Sequence, residues 1–170
     1  MLFTDAGKVL RFSEKAVRSM GRTARGVKGI TLKPGQKVIA QIIAGDGTIL
    51  TATENGFGKR TPVEDYPGYG RGGQGVIAIQ TSERNGALVS ALPVKDDDEV
   101  MLITNGGTLI RTPVESISVL GRNTQGVTLI GLTGSEQLVG MALVEGGELD
   151  VDSTPSDEAA GDSDNADIAD

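Results

Sequence analysis

A seven-residue motif that begins with Gly-Arg and ends with Gly-Val occurs three times, and this repeat constrains the fold more than any other feature. The copies are Gly21–Val27, Gly70–Val76 and Gly121–Val127, at offsets of 49 and 51 residues. Self-similarity at a period of roughly 20–50 residues is typical of solenoids, propellers and arrays, in which each unit packs against its neighbours. The chain is therefore expected to fold as an array of similar units.

Further residues recur at these offsets. The pentapeptide Arg-Thr-Pro-Val-Glu occupies residues 60–64 and returns at residues 111–115, an offset of 51 residues. The recurring single positions are Arg11, Arg60 and Arg111, and Gly7, Gly56 and Gly107. Because three independent anchors share their offsets, the repeat is not a chance similarity.

Each unit contains four short runs that predict β-strands. The first runs, Thr48–Thr53 and Val100–Thr104, end at Asn-Gly pairs, which favour tight hairpin turns. The second runs stop at Pro62 and Pro113, because proline has no N–H group for the ladder. The other predicted strands are the second at Val9–Phe12, Phe57–Thr61 and Thr108–Thr112, the third at Val27–Leu32, Val76–Thr81 and Val127–Leu132, and the fourth at Val38–Ala44, Ala87–Val94 and Leu138–Val144. No convincing helix is predicted, and the best candidate is the short stretch Glu14–Met20.

Four strands in a unit of about 50 residues are the signature of a propeller blade. The sequence therefore predicts an all-β, propeller-like fold with four-stranded blades at residues 1–48, 49–99 and 100–144. Three blades fall short of the roughly four or more that close a ring, so a partial ring is expected. The first unit is also short, because Met1 aligns with Leu50 and Met101, and we expect further blades upstream of Met1.

The charge is distributed unevenly along the chain. The whole sequence has a net charge of −7, but residues 1–144 hold 16 basic and 13 acidic residues, and residues 1–48 hold 9 basic and 3 acidic residues. Residues 145–170 contain 10 acidic residues and no Lys or Arg, together with many Asp, Ser, Gly and Ala residues. Such a composition cannot bury enough apolar surface to offset its ordering entropy, so a disordered tail is predicted. This tail acts either as a solubilising segment or as a competitor of a polyanion for the basic body.

Composition excludes several classes of function. There are no Cys and no His residues, which excludes disulfides, thiol nucleophiles, thiolate or imidazole metal sites and a Ser-His-Asp triad. No apolar run approaches the roughly 20 residues of a membrane span. The first residues lack a basic region followed by an apolar stretch, so no signal peptide is predicted.

The repeated Gly-Arg loops are the candidate binding elements. Each presents a guanidinium and backbone N–H groups at blade spacing, and phosphate oxygens accept hydrogen bonds from both. The candidate phosphate contacts are Arg22, Arg71, Arg122, Arg11, Arg60, Arg111, Arg25, Lys28, Lys8 and Lys59. Alternatives remain for each group. The loop arginines could bind loop carbonyls as part of the blade architecture, and the strand-end arginines could form salt bridges with Glu64 or Glu115. The cations found only in the first unit could be a rim extension or a generic solvated face; these are Lys8, Lys15, Arg18, Arg25 and Lys28.

The tract Ile49–Pro67 resembles a blade of the C-terminal DNA-wrapping domain of bacterial DNA gyrase A subunits, and so do Met1–Gly29 and Gly121–Val127. The similarity covers about residues 1–144, and an acidic tail follows this domain in some gyrases. The C-terminal domain of the A-type subunit of topoisomerase IV, built from the same blades, is the nearest competitor. The resemblance implies a β-pinwheel whose blades lend strands to their neighbours, and whose basic rim wraps duplex DNA.

The resemblance also implies partners and a cellular setting. The implied partners are duplex DNA, the gyrase B subunit and the rest of the A subunit. The implied process is ATP-dependent negative supercoiling by the holoenzyme, and the implied location is the bacterial cytoplasm. No cofactor is expected in this chain, since ATP and Mg belong to other parts of the holoenzyme. The catalytic tyrosine of the family also lies elsewhere, so neither Tyr66 nor Tyr69 is expected to act as a nucleophile, and no metal site is expected.

The hallmark of the gyrase family is a box of sequence Gln-Arg-Arg-Gly-Gly-x-Gly. Residues Arg71, Gly72, Gly73, Gln74 and Gly75 match its last five positions, whereas Tyr69 and Gly70 depart from it. The intact box is therefore expected upstream of Met1. The alternative function is a propeller-type interaction module that uses the same rim for an acidic protein partner.

Overall fold

Three antiparallel β-sheets follow one another along the chain, in a computed structural model that describes residues 1–144. Three short 3₁₀ helices, η1 (Glu14–Ala16), η2 (Val63–Asp65) and η3 (Val114–Ser116), lie at the ends of the second strands of the repeats. The strands are β1 (Leu2–Thr4), β2 (Lys8–Leu10), β3 (Val38–Gln41), β4 (Thr48–Thr53), β5 (Phe57–Pro62), β6 (Val76–Ile77), β7 (Leu88–Val94), β8 (Glu99–Thr104), β9 (Leu109–Pro113), β10 (Val127–Thr128) and β11 (Leu138–Val144). None of the helices in this part of the chain is long and apolar enough to cross a membrane.

The sheets exchange strands between consecutive repeats. The first sheet has the order β3-β1-β2-β6, the second β7-β4-β5-β10 and the third β11-β8-β9. Strand β6 belongs to the second repeat but completes the sheet of the first, and β10 of the third repeat completes the sheet of the second. Sequence repeats and sheets are therefore offset by one strand, as a pinwheel requires.

Two equivalent junctions join the three blades. At the first, Val76 lies opposite Val9, and at the second, Val127 lies opposite Gly58. The glycine that precedes each donated strand has a positive φ, +73° at Gly75 and +78° at Gly126. A Cβ atom there would lie only 2.5 or 2.4 Å from the carbonyl oxygen of the accepting strand. Glycine is required at these points because the two backbones approach too closely for any side chain.

The hydrophobic core consists of two clusters, one on each side of the second sheet. Strand β4 has both faces buried, since Ile49 packs into a cluster with the first sheet and Leu50 into a cluster with the third. The first cluster contains Phe3, whose ring meets that of Tyr66 edge to face with centroids 6.1 Å apart. Each such buried side chain contributes about 1.5–3 kcal/mol, so a blade depends on its neighbours for stability.

The predicted all-β propeller-like fold is confirmed, with differences in individual strands. The bounds of β4 and β11 agree with the prediction. The third runs are shorter than predicted: β6 and β10 have two residues each, and residues 27–32 form no strand. The third sheet has three strands in the described part of the chain rather than four. Strands β6 and β10 are short because the N–H groups that follow them leave the ladder; after β6, those of Ala78 and Ile79 share the Gly7 carbonyl and that of Gln80 donates to Thr124. Residues 27–32 pair with no preceding sheet, and the third sheet receives no donated strand, among the described residues. The candidate helix Glu14–Met20 is a single 3₁₀ turn.

Candidate nucleic-acid interface

The most basic exposed surface is the segment between β2 and β3. We call residues 13–29 the basic loop, and all but three of its residues are exposed. Its exposed cationic side chains are Lys15, Arg18, Arg22, Arg25 and Lys28. None of these five forms a salt bridge with another residue in the range 1–144. Their charges are therefore available to an anionic ligand.

The basic loop is held in place from the second repeat rather than by its own secondary structure. The Arg71 guanidinium donates hydrogen bonds to the carbonyl oxygens of Ala16 and Lys28, at 2.9 and 3.1 Å. The Gly72 N–H donates to the Gly29 carbonyl at 2.5 Å. These contacts fix both ends of the loop, so its cations project from a defined position.

The three Gly-Arg loop arginines have different environments. Arg122 donates to the carbonyl of Ile77 at 3.1 Å, and Ile77 is the repeat counterpart of Lys28. Arg71 and Arg122 thus make the same contact with the preceding repeat, which corresponds to the architectural alternative. Arg22 makes no side-chain hydrogen bond within the described range and is exposed. Arg71 is also exposed, and its Nη2 group remains available beside its two carbonyl contacts.

The arginines at the ends of the second strands also differ. Arg11 donates to the carbonyls of Val63 and Tyr66, at 2.9 and 3.0 Å, in the second repeat. Arg60 is 5% exposed, donates to the Ile117 carbonyl at 2.7 Å and pairs with Asp96. These two arginines bind the 3₁₀ region of the next repeat, so they stabilise blade junctions. Arg111 is exposed and pairs with Glu99 of its own sheet. The alternative of salt bridges with the Glu64 or Glu115 side chains is not observed, because Arg60 pairs with Asp96 and Arg111 pairs with Glu99.

Two predicted lysine contacts lie at junctions rather than on an exposed rim. Lys59 is 0% exposed, and its Nζ donates to the Gly121 carbonyl at 2.5 Å. The pKa of Lys59 is lowered to about 8, mainly by burial and secondarily by the nearby Arg122 charge, while Asp65 partly opposes both effects. Lys8 is half-buried beside β6. The structure places Lys59 and Arg60 inside the blade, where a phosphate cannot reach them, so neither enters the interface proposed below.

The residues of the degenerate box form the first junction. Gly73 accepts the Thr31 N–H at 2.8 Å, the Thr31 hydroxyl donates to Gly72 at 2.6 Å, and Gly75 packs on β2. Gln74 is exposed beside Arg71. The glycines of the box thus serve close backbone packing, and its polar side chains face outward.

Several contacts could not be located from the sequence. Lys33 and Lys37 extend the exposed basic surface, and the net charge of residues 1–48 was their only signal. Arg84 lies over the Phe57 ring, 4.1 Å from its centroid, and donates to Gln125 at 2.8 Å. Tyr66 is 1% exposed, and Tyr69 lies on the surface.

The run of acidic residues 96–99 supplies the ion-pair partners of Arg60 and Arg111. The predicted disorder of residues 145–170 lies outside the described residues.

Comparisons with known proteins agree on one family. The family model described as the DNA gyrase C-terminal domain, a beta-propeller, matches residues 1–41, 47–95 and 98–145. The DNA gyrase A subunit of Pseudomonas aeruginosa is 56% identical over 164 residues, which cover 94% of this chain and 18% of that relative. The chain therefore spans less than a fifth of that relative's length.

Two solved structures have the same fold. The DNA gyrase A C-terminal domain aligns with a TM-score of 0.71 and 26% identity, covering 84% of this chain and 49% of that one. The C-terminal domain of DNA topoisomerase IV aligns with a TM-score of 0.78 and 26% identity, covering 85% of this chain and 46% of that one. In each case the chain corresponds to about half of a solved domain.

Proposed function

The chain belongs to the DNA gyrase C-terminal domain family, and from this premise we propose that it binds and wraps duplex DNA without reading its sequence. The observation that supports this proposal is the set of five exposed cations of the basic loop, which form no salt bridge with any of residues 1–144. Phosphate contacts of this kind hold a duplex in register but carry no sequence information. A protein that reads bases usually inserts a helix or a β-ribbon into a groove. The longest helical segment among residues 1–144 has three residues.

The proposed interface is centred on the first repeat. Its members are Lys15, Arg18, Arg22, Arg25 and Lys28 in the basic loop, with Arg71 at its base. Arg71 supplies its Nη2 group, since Nε and Nη1 are used to hold the loop. Bending DNA around a disc costs on the order of 1–6 kcal/mol for each 20–30 base pairs, and an array of phosphate contacts offsets this cost.

In the context of a longer polypeptide, we propose that this piece supports ATP-dependent negative supercoiling by a gyrase. It would act with the gyrase B subunit, together with the rest of the A subunit, in the bacterial cytoplasm where the DNA lies. ATP and Mg would bind other parts of that assembly. The 56% identity to a gyrase A subunit over 164 residues supports the gyrase assignment. The two solved domains do not discriminate between the assignments, since each is 26% identical to this chain.

A salt titration of binding to short and long duplexes tests the proposal. Affinity should fall steeply with salt and should be greater for the long duplex, because more phosphates are contacted when DNA bends around the surface. It should not change with base sequence. Flat salt dependence, or preference for one short sequence, would contradict the proposal. Retention of a single acidic protein with no DNA binding would favour the interaction module instead.

A pair of matched variants assigns the interface. Arg22→Gln should weaken binding and reduce the slope of log K against log salt by about 0.9. Lys95→Gln changes the net charge equally, but Lys95 is exposed in the turn before β8, next to Asp96. The DNA affinity of the Lys95→Gln variant should remain close to that of the parent chain. Equal losses in the two variants would indicate attraction to net charge alone and would argue against a defined surface.

A further inference from the structure

The turn between β6 and β7 carries a cation that the interface centred on the basic loop does not use. Arg84 is exposed, and it forms no salt bridge with any of residues 1–144. Its neighbour Glu83 is exposed as well, but the two side chains do not pair. The Arg84 guanidinium is therefore open to an anionic ligand.

Two side chains hold this guanidinium in one position. It lies over the Phe57 ring, 4.1 Å from the ring centroid. Its Nη1 group donates a hydrogen bond to the side-chain oxygen of Gln125 at 2.8 Å. A free surface arginine loses rotamer entropy when a ligand binds, and an arginine that is already fixed loses less. Arg84 is thus prepared for binding before any ligand arrives.

The backbone beneath Arg84 is also fixed, and it is attached to the second junction. The Asn55 amide donates to the carbonyls of Glu83 and Arg84, at 3.1 and 3.0 Å. Asn85 is 0% exposed, and its amide donates to the Gln125 carbonyl at 2.7 Å. Gln125 belongs to the Gly-Arg loop of the third repeat. These contacts place Arg84 beside that loop.

The pair formed by Arg84 and Phe57 is absent from the other two repeats. Strands β3, β7 and β11 begin opposite the ends of the first strands, so the turns that precede them can be aligned. The counterparts of Arg84 are Pro34 and Gly134, and those of Phe57 are Lys8 and Thr108. The blades of the first and third repeats form without this pair, so blade architecture does not explain it.

The guanidinium keeps one edge for a ligand. Nη1 is used by Gln125, whereas Nε and Nη2 of Arg84 donate no hydrogen bond within the range 1–144. These two N–H groups point from the same edge of the planar group, in the geometry that binds two phosphate oxygens at once. Phe57 covers a face of the group and leaves this edge free.

We propose that Arg84 forms a second phosphate site for duplex DNA, at the second junction, with Phe57 as its positioning residue. This inference rests on the proposed function and states where the duplex is held after it leaves the basic loop. Arg71 and Arg84 are 13 residues apart, so their Cα atoms lie within about 45 Å of each other. Since each DNA strand advances by about 3.4 Å per base pair, this distance corresponds to about 13 base pairs.

A salt titration of DNA binding by the full chain tests the site, with a long labelled duplex and fluorescence anisotropy as the readout. Arg84→Gln should weaken binding about three- to tenfold at low salt, and it should reduce the slope of log K against log salt by about 0.9. Arg84→Lys retains the charge and should retain the slope of the parent chain. Lys95→Gln is the matched control, with the same change in net charge and no expected change in slope.

A variant of Phe57 tests the positioning role separately. Phe57→Leu keeps an apolar side chain and leaves every charge in place, but it removes the ring beneath the guanidinium. Binding should weaken about two- to fivefold while the salt slope stays unchanged, because the number of phosphate contacts is the same. An affinity equal to that of the parent chain would overturn the role of Phe57. The circular dichroism spectrum of each variant should match that of the parent.

The failure of this site and the failure of the proposed function give different results. If Arg22→Gln weakens DNA binding and Arg84→Gln does not, the second site is overturned and the proposed function stands. Equal losses of slope in Arg84→Gln and Arg84→Lys would also overturn the site, because Arg84 would then act only by holding Gln125. A parent chain that does not bind DNA would overturn both proposals.

Discussion

The guanidinium of Arg60 donates a hydrogen bond to the carbonyl oxygen of Ile117 at 2.7 Å, from the end of β5 to the residue that follows η3. This contact joins the second repeat to the third, and Asp96 pairs with the same guanidinium. Arg11 makes the corresponding contact between the first repeat and the second. Arginine in a basic sequence suggests nucleic-acid contact, but Arg11 and Arg60 instead stabilise the junctions between blades.

Loss of Arg60 should destabilise the fold much more than loss of its exposed counterpart. Arg60→Met should lower the free energy of unfolding by about 2–4 kcal/mol, because buried carbonyls lose a charged donor. Arg111→Met should change it by about 0–1 kcal/mol, as expected for an exposed ion pair. Urea unfolding monitored by circular dichroism measures both values. Similar losses in the two variants would show that the Arg60 contacts are not specific to the junction.

The buried amine of Lys59 should give an unusual dependence of stability on pH. Its pKa is lowered from 10.5 to about 8, so between these values the unfolded chain keeps a proton that the folded chain has released. The free energy of unfolding should therefore rise with pH in this window, by on the order of 1–3 kcal/mol. Lys59→Met should abolish the rise, and the exposed Lys95→Met should retain it. A parent chain with no rise between pH 8 and 10 would disprove this assignment.

Tyr66 should reverse that trend at higher pH. Burial is the main cause that raises its pKa from 10.0 to about 12. Between these values the folded chain holds a proton that the unfolded chain has lost, so stability should fall as pH rises from 10 to 12. Urea midpoints of the parent and of Tyr66→Phe across this range measure the effect. The expected result is a smaller fall in Tyr66→Phe, and an equal fall in both chains would assign the loss to other groups.

Gly126 should tolerate alanine less well than a glycine with similar φ and open surroundings. A Cβ atom at Gly126 would lie 2.4 Å from the Gly58 carbonyl, whereas one at Gly134 meets nothing within 4 Å. Both substitutions incur the cost of a positive φ, about 1–2 kcal/mol. Gly126→Ala should cost about 1–3 kcal/mol more, because β10 must move away from β5. Thermal unfolding of the two variants compares them, and equal melting temperatures would contradict the close approach.

The acidic residues of the tail should weaken DNA binding if they compete for the basic loop. Replacing the ten Asp and Glu residues of 145–170 by Asn and Gln keeps the length and removes the charge. Binding should become tighter at low salt, and the gain should shrink as salt rises, because salt screens the competition. Fluorescence anisotropy with a labelled duplex measures it. Equal affinities of the two chains at low salt would reject competition and leave the solubilising role.

Much of the fold could be predicted because its signals are local. Strand β4 has the predicted bounds, since a run rich in β-branched residues is followed by an Asn-Gly pair. Strands β5 and β9 end at Pro62 and Pro113. The third runs were predicted less well, because only their first residues join a ladder. The N–H groups that follow β6 donate to carbonyls of two different neighbours, such as Gly7 and Thr124.

The sequence by itself determined the repeat, the strand-rich blades and the concentration of positive charge in residues 1–48. These features depend only on residue spacing and composition, which can be read directly from the linear sequence. Only the tertiary structure decided which equivalent arginines are covered. Arg60 and Arg111 share a local sequence, yet one is 5% exposed and the other lies on the surface. The physical reason is that the carbonyl acceptors of Arg60 lie 55 and 57 residues away, in the third repeat that packs over it, whereas Arg111 pairs with Glu99 of its own sheet, 12 residues away.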